Sequence, residues 1–110
     1  MDVADALQRL GDDRDLLREI IQIYLEDSPA MMDNMHASAA SGDAAVLQRA
    51  AHSLKGLAST LSAFDVVGAA ARLEHMAASH QLHDAEQLVA EVQRRVTELN
   101  EAVQAYLRRK

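Results

Sequence analysis

His52, Lys55 and Gly56 are the residues of this chain whose types and spacing could do chemistry together, in the stretch Ala51-His52-Ser53-Leu54-Lys55-Gly56. Imidazole ionises near neutrality, and its free nitrogen is a good nucleophile toward phosphorus. Phosphoryl transfer then needs little beyond positioning and charge neutralisation. A lysine at i+3 sets an ammonium beside the oxygens of any phosphoryl group on the ring. A glycine at i+4 costs about 1 kcal/mol of helix stability relative to alanine. Such a cost in mid-helix suggests a steric reason, here an open approach to the histidine. Taken alone, an exposed His-x-x-Lys reads as a solvated histidine beside an ordinary lysine.

The flanking residues say which way the histidine points. At about 100° per residue, Leu47, Ala50, Ala51, Leu54, Leu57, Ala58 and Leu61 gather into one apolar stripe. His52 lies roughly opposite, and Lys55, Gly56, Ser59 and Ala63 fall on its side, within about 60° of it. An outward imidazole with one cation and small neighbours leaves room for something large to dock.

The chain has 110 residues, enough for a single domain over 1–110 with one core. Net charge is −6, with 17 acidic and 11 basic residues, and ten of the acids precede residue 51. That balance argues against nucleic acid as a partner, which demands a basic face. The chain has no cysteine, so thiol chemistry is excluded and a cytoplasmic location is expected. No apolar run approaches about 18 residues and no leader is recognisable, so no membrane contact is expected. No glycine-rich phosphate loop is present, and the length leaves no room for a nucleotide-binding kinase domain beside this one.

One proline, four glycines and abundant alanine predict an all-α protein. A short helix is expected over about 2–10, ended by Gly11-Asp12-Asp13. A long helix over about 13–40 carries Leu17, Ile20, Ile21, Tyr24, Met31 and Met35, with a kink expected near Pro29. Ser41-Gly42-Asp43 breaks the chain before a helix over about 44–61. A helix over about 65–79 turns Val66, Ala70, Leu73 and Ala77 inward. The last, over about 84–108 and capped by Asp84, buries Leu88, Val92, Val96, Leu99 and Val103. Four long helices with short links, each with one apolar face, make an antiparallel four-helix bundle with a short extra N-terminal helix.

The segment Ala51-His52-Ser53-Leu54-Lys55-Gly56-Leu57-Ala58 resembles the signature of histidine-containing phosphotransfer (HPt) domains of bacterial two-component phosphorelays. The resemblance extends to Arg9-Leu10-Gly11-Asp12-Asp13, Leu16-Leu17-Arg18-Glu19, Tyr24-Leu25-Glu26-Asp27-Ser28-Pro29, Ser41-Gly42-Asp43 and Ala70-Ala71-Arg72-Leu73-Glu74. It implies a monomeric, cofactor-free phosphorelay intermediate without kinase activity of its own. Its partners would be response-regulator receiver domains, which bring their own Mg²⁺, and a hybrid sensor histidine kinase. By position, His52 would carry the phosphoryl group and exchange it with a receiver aspartate. Lys55 would stabilise the phosphoryl charge and Gly56 would give clearance. Glu74 matches the place of a polar acceptor for the ring Nδ1, which would fix the tautomer and leave Nε2 as nucleophile. Glu74 reads otherwise as a rim carboxylate beside Arg72. The family usually has Gly-Ala where this chain has Ser62-Ala63, and the serine could instead cap the next helix.

Gly56, Ser59 and Met32 are the expected partner-binding residues. Methionine suits adaptable docking surfaces, and Met32 is assigned outward, with Met31 and Met35 in the core. His75, His80 and His83 straddle a helix end without regular spacing, and no metal site is expected. His36 is expected at the surface. Two other readings stay open: a helical module that binds or inhibits a receiver without carrying phosphate, and the histidine-bearing domain of a chemotaxis-type kinase. The stimulus, the particular receiver and the direction of flow are not encoded in any motif.

Overall fold

A computed structural model describes residues 1–109, and among these there are five helices and no strand. They are α1 (Val3–Arg9), α2 (Arg14–Ser41), α3 (Ala44–Thr60), α4 (Phe64–Ala78) and α5 (Ala85–Arg108). Three of them begin with an aspartate whose side chain accepts a backbone N–H of the first turn: Asp2 from Asp5, Asp13 from Leu16 and Asp43 from Val46. Gly42 ends α2 in a left-handed conformation (φ 77°) that glycine adopts without strain. Helix α2 runs unbroken through Pro29.

Helix α3 packs on α2 and α4, α4 on α5, and α5 back on α2, so the four long helices form a helical bundle around one core. On α5 the buried positions are Ala85, Val89, Val92, Val96, Leu99 and Val103, alternating four and three residues apart. That spacing keeps one stripe facing inward over the helix length. Tyr24, Leu17, Leu54, Leu61 and Leu73 are also fully buried. Each such side chain contributes roughly 1.5–3 kcal/mol of hydrophobic stabilisation.

Several expectations change against this core. Met32 is buried, only 5% exposed, while Met31 is half-buried. The cause is Ser28, a polar residue that occupies a core position on α2 at 2% exposure. With Ser28 counted, the inward stripe reads Leu17, Ile21, Tyr24, Ser28, Met32, Met35. Leu88 gives way to Val89 because Ala85 sets the phase of α5. Leu57 sits at the edge of the core rather than in it. Asp84 stands at the start of α5 without a capping hydrogen bond, its carboxylate lying 3.3 Å from His83 Nε2 instead.

Ser62 does not cap α4, whose first flanking residue is Ala63, with no side-chain cap. It closes α3 instead. The Ala63 N–H bonds to the Ala58 carbonyl (3.0 Å) and the Ser62 N–H to that of Ser59 (3.1 Å), which places Ser62 at the left-handed position, φ 51°. A residue with a Cβ is disfavoured there by roughly 1–2 kcal/mol. Helix α1 compensates: buried Ser62 donates from Oγ to Asp5 Oδ2 (2.5 Å), and its carbonyl accepts the Asp2 N–H (3.1 Å). Arg9 of α1 donates to the Ser59 carbonyl at 2.7 Å.

These opposing terms set an expected order of stability. Ser62→Ala keeps the backbone strain and loses a hydrogen bond to a carboxylate, at a cost of about 1.5–3 kcal/mol. Ser62→Gly loses the same bond but relieves the strain, so in urea titrations it should retain about 1 kcal/mol more stability than Ser62→Ala.

Candidate functional site

His52 and Lys55 lie one helical turn apart on α3, and Glu74 projects from α4 between them. His52 Nδ1 is 2.7 Å from Glu74 Oε2, and Lys55 Nζ is 2.5 Å from Glu74 Oε1. One carboxylate is thus shared by two donors. An ionised carboxylate can only accept, so Nδ1 carries the ring proton and Nε2 of the neutral ring keeps its lone pair. The His52 side chain is 68% exposed, against 32% for Lys55 and 18% for Glu74. Nε2 makes no hydrogen bond among the described residues, so its lone pair is free to react.

The hydrogen bond from Lys55 holds the Glu74 carboxyl below its ordinary range. Partial burial opposes this effect, and the bond from His52 adds to it. Glu74 therefore remains ionised at neutral pH. The site is an imidazole oriented by an anion, with an ammonium held beside it on the same anion. Such a site can accept an electrophile at Nε2 and place positive charge beside a developing oxyanion.

Gly56 is exposed on α3, and a Cβ built there would meet nothing within 4 Å. No neighbouring helix therefore requires a glycine at this point. Ser59 is half-buried, and its hydroxyl turns back to the Lys55 carbonyl (2.8 Å) rather than outward. Met32 is in the core, away from any docking surface. Among the described residues no group of histidines and carboxylates is arranged to hold a metal ion, and no helix is long and apolar enough to cross a membrane.

The sequence reading missed an exposed apolar flank of α2. Leu16 is 37% and Ile23 49% exposed, and Ile20 and Met31 are half-buried beside them. At about 100° per residue these four share the flank of α2 that looks toward α3. The signal was present in the paired apolar residues 16/17, 20/21, 23/24 and 31/32, an arc wider than a core-facing stripe requires.

No curated protein and no solved structure matches this chain. The model of the Hpt domain family matches residues 19–106. That span is most of the chain and takes in both partners of the shared carboxylate as well as Glu74 itself. On that match, and on the all-helical bundle that carries it, the chain belongs to the Hpt domain family, the histidine phosphotransfer modules of two-component systems.

Proposed function

We propose that this chain is a phosphorelay intermediate that carries its phosphoryl group on Nε2 of His52. Nε2 attacks the phosphorus of a receiver-domain aspartyl phosphate. The N–P bond forms as the P–O bond to the aspartate breaks, and the aspartate leaves as a carboxylate. The Nδ1 proton stays in its hydrogen bond to Glu74, where the carboxylate offsets the positive charge that the ring gains. Lys55 supplies an ammonium for the phosphoryl oxygens, and the receiver brings its own Mg²⁺. The reverse sequence passes the group to a second receiver, and no kinase chemistry is needed in this chain. The antiparallel arrangement of the four long helices supplies the rigid frame.

The observation that carries this reading is the 2.7 Å contact from His52 Nδ1 to Glu74 on a ring that is 68% exposed. It fixes the tautomer and leaves the opposite nitrogen in solvent. Gly56 supports it, because its missing side chain serves nothing inside the fold. The apolar flank of α2 at Leu16, Ile20, Ile23 and Met31 offers a receiver a surface to bury.

Incubation with a phosphorylated cognate receiver should give an acid-labile, alkali-stable phosphoprotein. His52→Gln should abolish the label with helical content unchanged, since the ring contributes nothing to the core. Persistent labelling of that variant would overturn the assignment. Gly56→Gln should fold and still react with small phosphodonors, yet exchange slowly with the receiver. Normal exchange would mean that clearance is not the role of Gly56.

Lys55→Ala should slow transfer more than it weakens receiver binding, by about 1–3 kcal/mol of transition-state stabilisation. Rapid-quench kinetics with a receiver held above saturation separates the two effects.

The Glu74 bridge also has a pH signature. Its carboxyl lies below the ordinary value of 4.5, so as pH falls the unfolded chain takes up the proton first. The stabilisation is complete above 4.5 and is lost as pH falls below that value, through the lower folded one. The difference in unfolding free energy between the wild type and Glu74→Gln should therefore shrink as pH falls below 4.5. A difference that grew in that acid range would contradict the geometry.

A further inference from the structure

Fixing the tautomer of a neutral imidazole takes only a hydrogen-bond acceptor on Nδ1. An amide or hydroxyl oxygen would serve. Here the acceptor is the carboxylate of Glu74, whose other oxygen is held by Lys55 at 2.5 Å. The resting ring has no use for that negative charge. A phosphorylated ring does. When Nε2 bonds to phosphorus and the proton stays on Nδ1, the ring becomes a cation. A hydrogen bond from a cation to a carboxylate is roughly twice as strong as one between neutral groups.

The proton on Nδ1 decides how the ring leaves. With it, breakage of the N–P bond returns the electron pair to Nε2 and releases neutral imidazole. Without it, the same step expels an imidazolide anion, a far stronger base and a far poorer leaving group. As pH rises, an unpartnered phosphohistidine sheds this proton and its phosphoryl group becomes slow to transfer.

The charged surroundings leave the proton to Glu74 and Lys55. On α3, Arg49 and Lys55 lie one turn to either side of His52, and on α4, Arg72 and His75 stand beside Glu74 in the chain. Asp27 falls on the flank of α2 that looks toward α3. On α5, which also packs on α4, Glu91 is taken by Arg94 and Arg95. Among the described residues only Glu74 pairs with His52, and only Lys55 shares it.

We propose that Glu74 keeps the proton on Nδ1 of phosphorylated His52, so that the phosphoryl group stays transferable at pH values where an unpartnered phosphohistidine has lost that proton. This role rests on the phosphotransfer reading and extends it from where the group is carried to what lets it leave. Glu74 is a positioning residue here, acting through the ring. Lys55 moderates it. While the ammonium lies on Oε1 it offsets the charge of the carboxylate, and when it turns to the oxygens of a bound phosphoryl group that charge acts on the ring alone. At release the N–P bond breaks as an oxygen of a receiver aspartate or of water bonds to phosphorus. Nδ1 keeps its proton throughout, and an attacking water passes its own to solvent.

The test loads the chain with phosphoramidate, removes the donor and follows loss of the phosphohistidine by phosphorus NMR from about pH 6 to about pH 10, with no receiver present. The readout is the pH at which the rate falls, not the height of the plateau before it. In Glu74→Gln, whose amide oxygen can still accept from Nδ1, the fall should come about one pH unit lower than in the wild type. One unit is tenfold in protonated ring, partly offset because the carboxylate also steadies the loaded state. At about pH 9 the variant's label should therefore outlast the wild type's at least about threefold. Lys55→Gln should move the fall to higher pH, since it releases the carboxylate and removes a cation beside the ring. A merely structural role for Glu74 gives neither shift. Coincident profiles for wild type and Glu74→Gln, both labelled on His52, would overturn the proposal and leave the phosphotransfer reading standing. So would a fall at lower pH in Lys55→Gln. A wild type that takes no label on His52 would overturn both.

Discussion

Glu74 has two oxygens and two claimants, His52 and Lys55, and the arrangement works only if the axes of α3 and α4 lie close enough for one short side chain to serve both. Alanine makes that approach possible. Ala51 and Ala58 on α3 and Ala69, Ala70 and Ala77 on α4 are all buried. Small side chains at a helix contact let the backbones draw together. Larger residues at those places would move Glu74 away from the histidine, leave the ring free to rotate and release the lysine into solvent. The chemistry of the site is thus set by residues that never touch it.

The same packing explains how so exposed a histidine can be held in one orientation. A histidine in solvent samples several rotamers and both tautomers. Here the 2.7 Å bond to a carboxylate, itself fixed from its other oxygen, selects one of each. Preorganisation comes from the anion and accessibility from the outward face of α3, so neither is obtained at the expense of the other.

The fold was readable where local rules decide it. The aspartates at 13 and 43 mark helix starts because a capping side chain acts on its own first turn. The faces of α3 and α4 follow from the apolar period. His52, Lys55 and Gly56 could be grouped because they share one helix. Reading failed where a residue answers to something distant. Ser28 hides a core position behind a hydroxyl, and with it the inward register of Met32. Leu88 is the stronger hydrophobe by composition, yet Ala85 fixes the phase that buries Val89. Glu74 reached the site by resemblance rather than by periodicity, since the register between two helices is written in neither of them alone.

The turn at Ser62 binds together parts of the chain that family comparison treats differently. Helix α1 lies outside the matched residues 19–106, as does Leu17, yet Ala6 and Leu17 are fully buried in the common core. Asp5, on α1, holds the hydroxyl of Ser62, whose backbone would suit a glycine better. A glycine at this turn makes no demand on the lead-in helix, whereas a serine needs the acid. A change at Asp5 is therefore felt at the turn that follows the histidine helix. The serine and the aspartate act as one unit, and the packed core is larger than the segment by which its family is recognised.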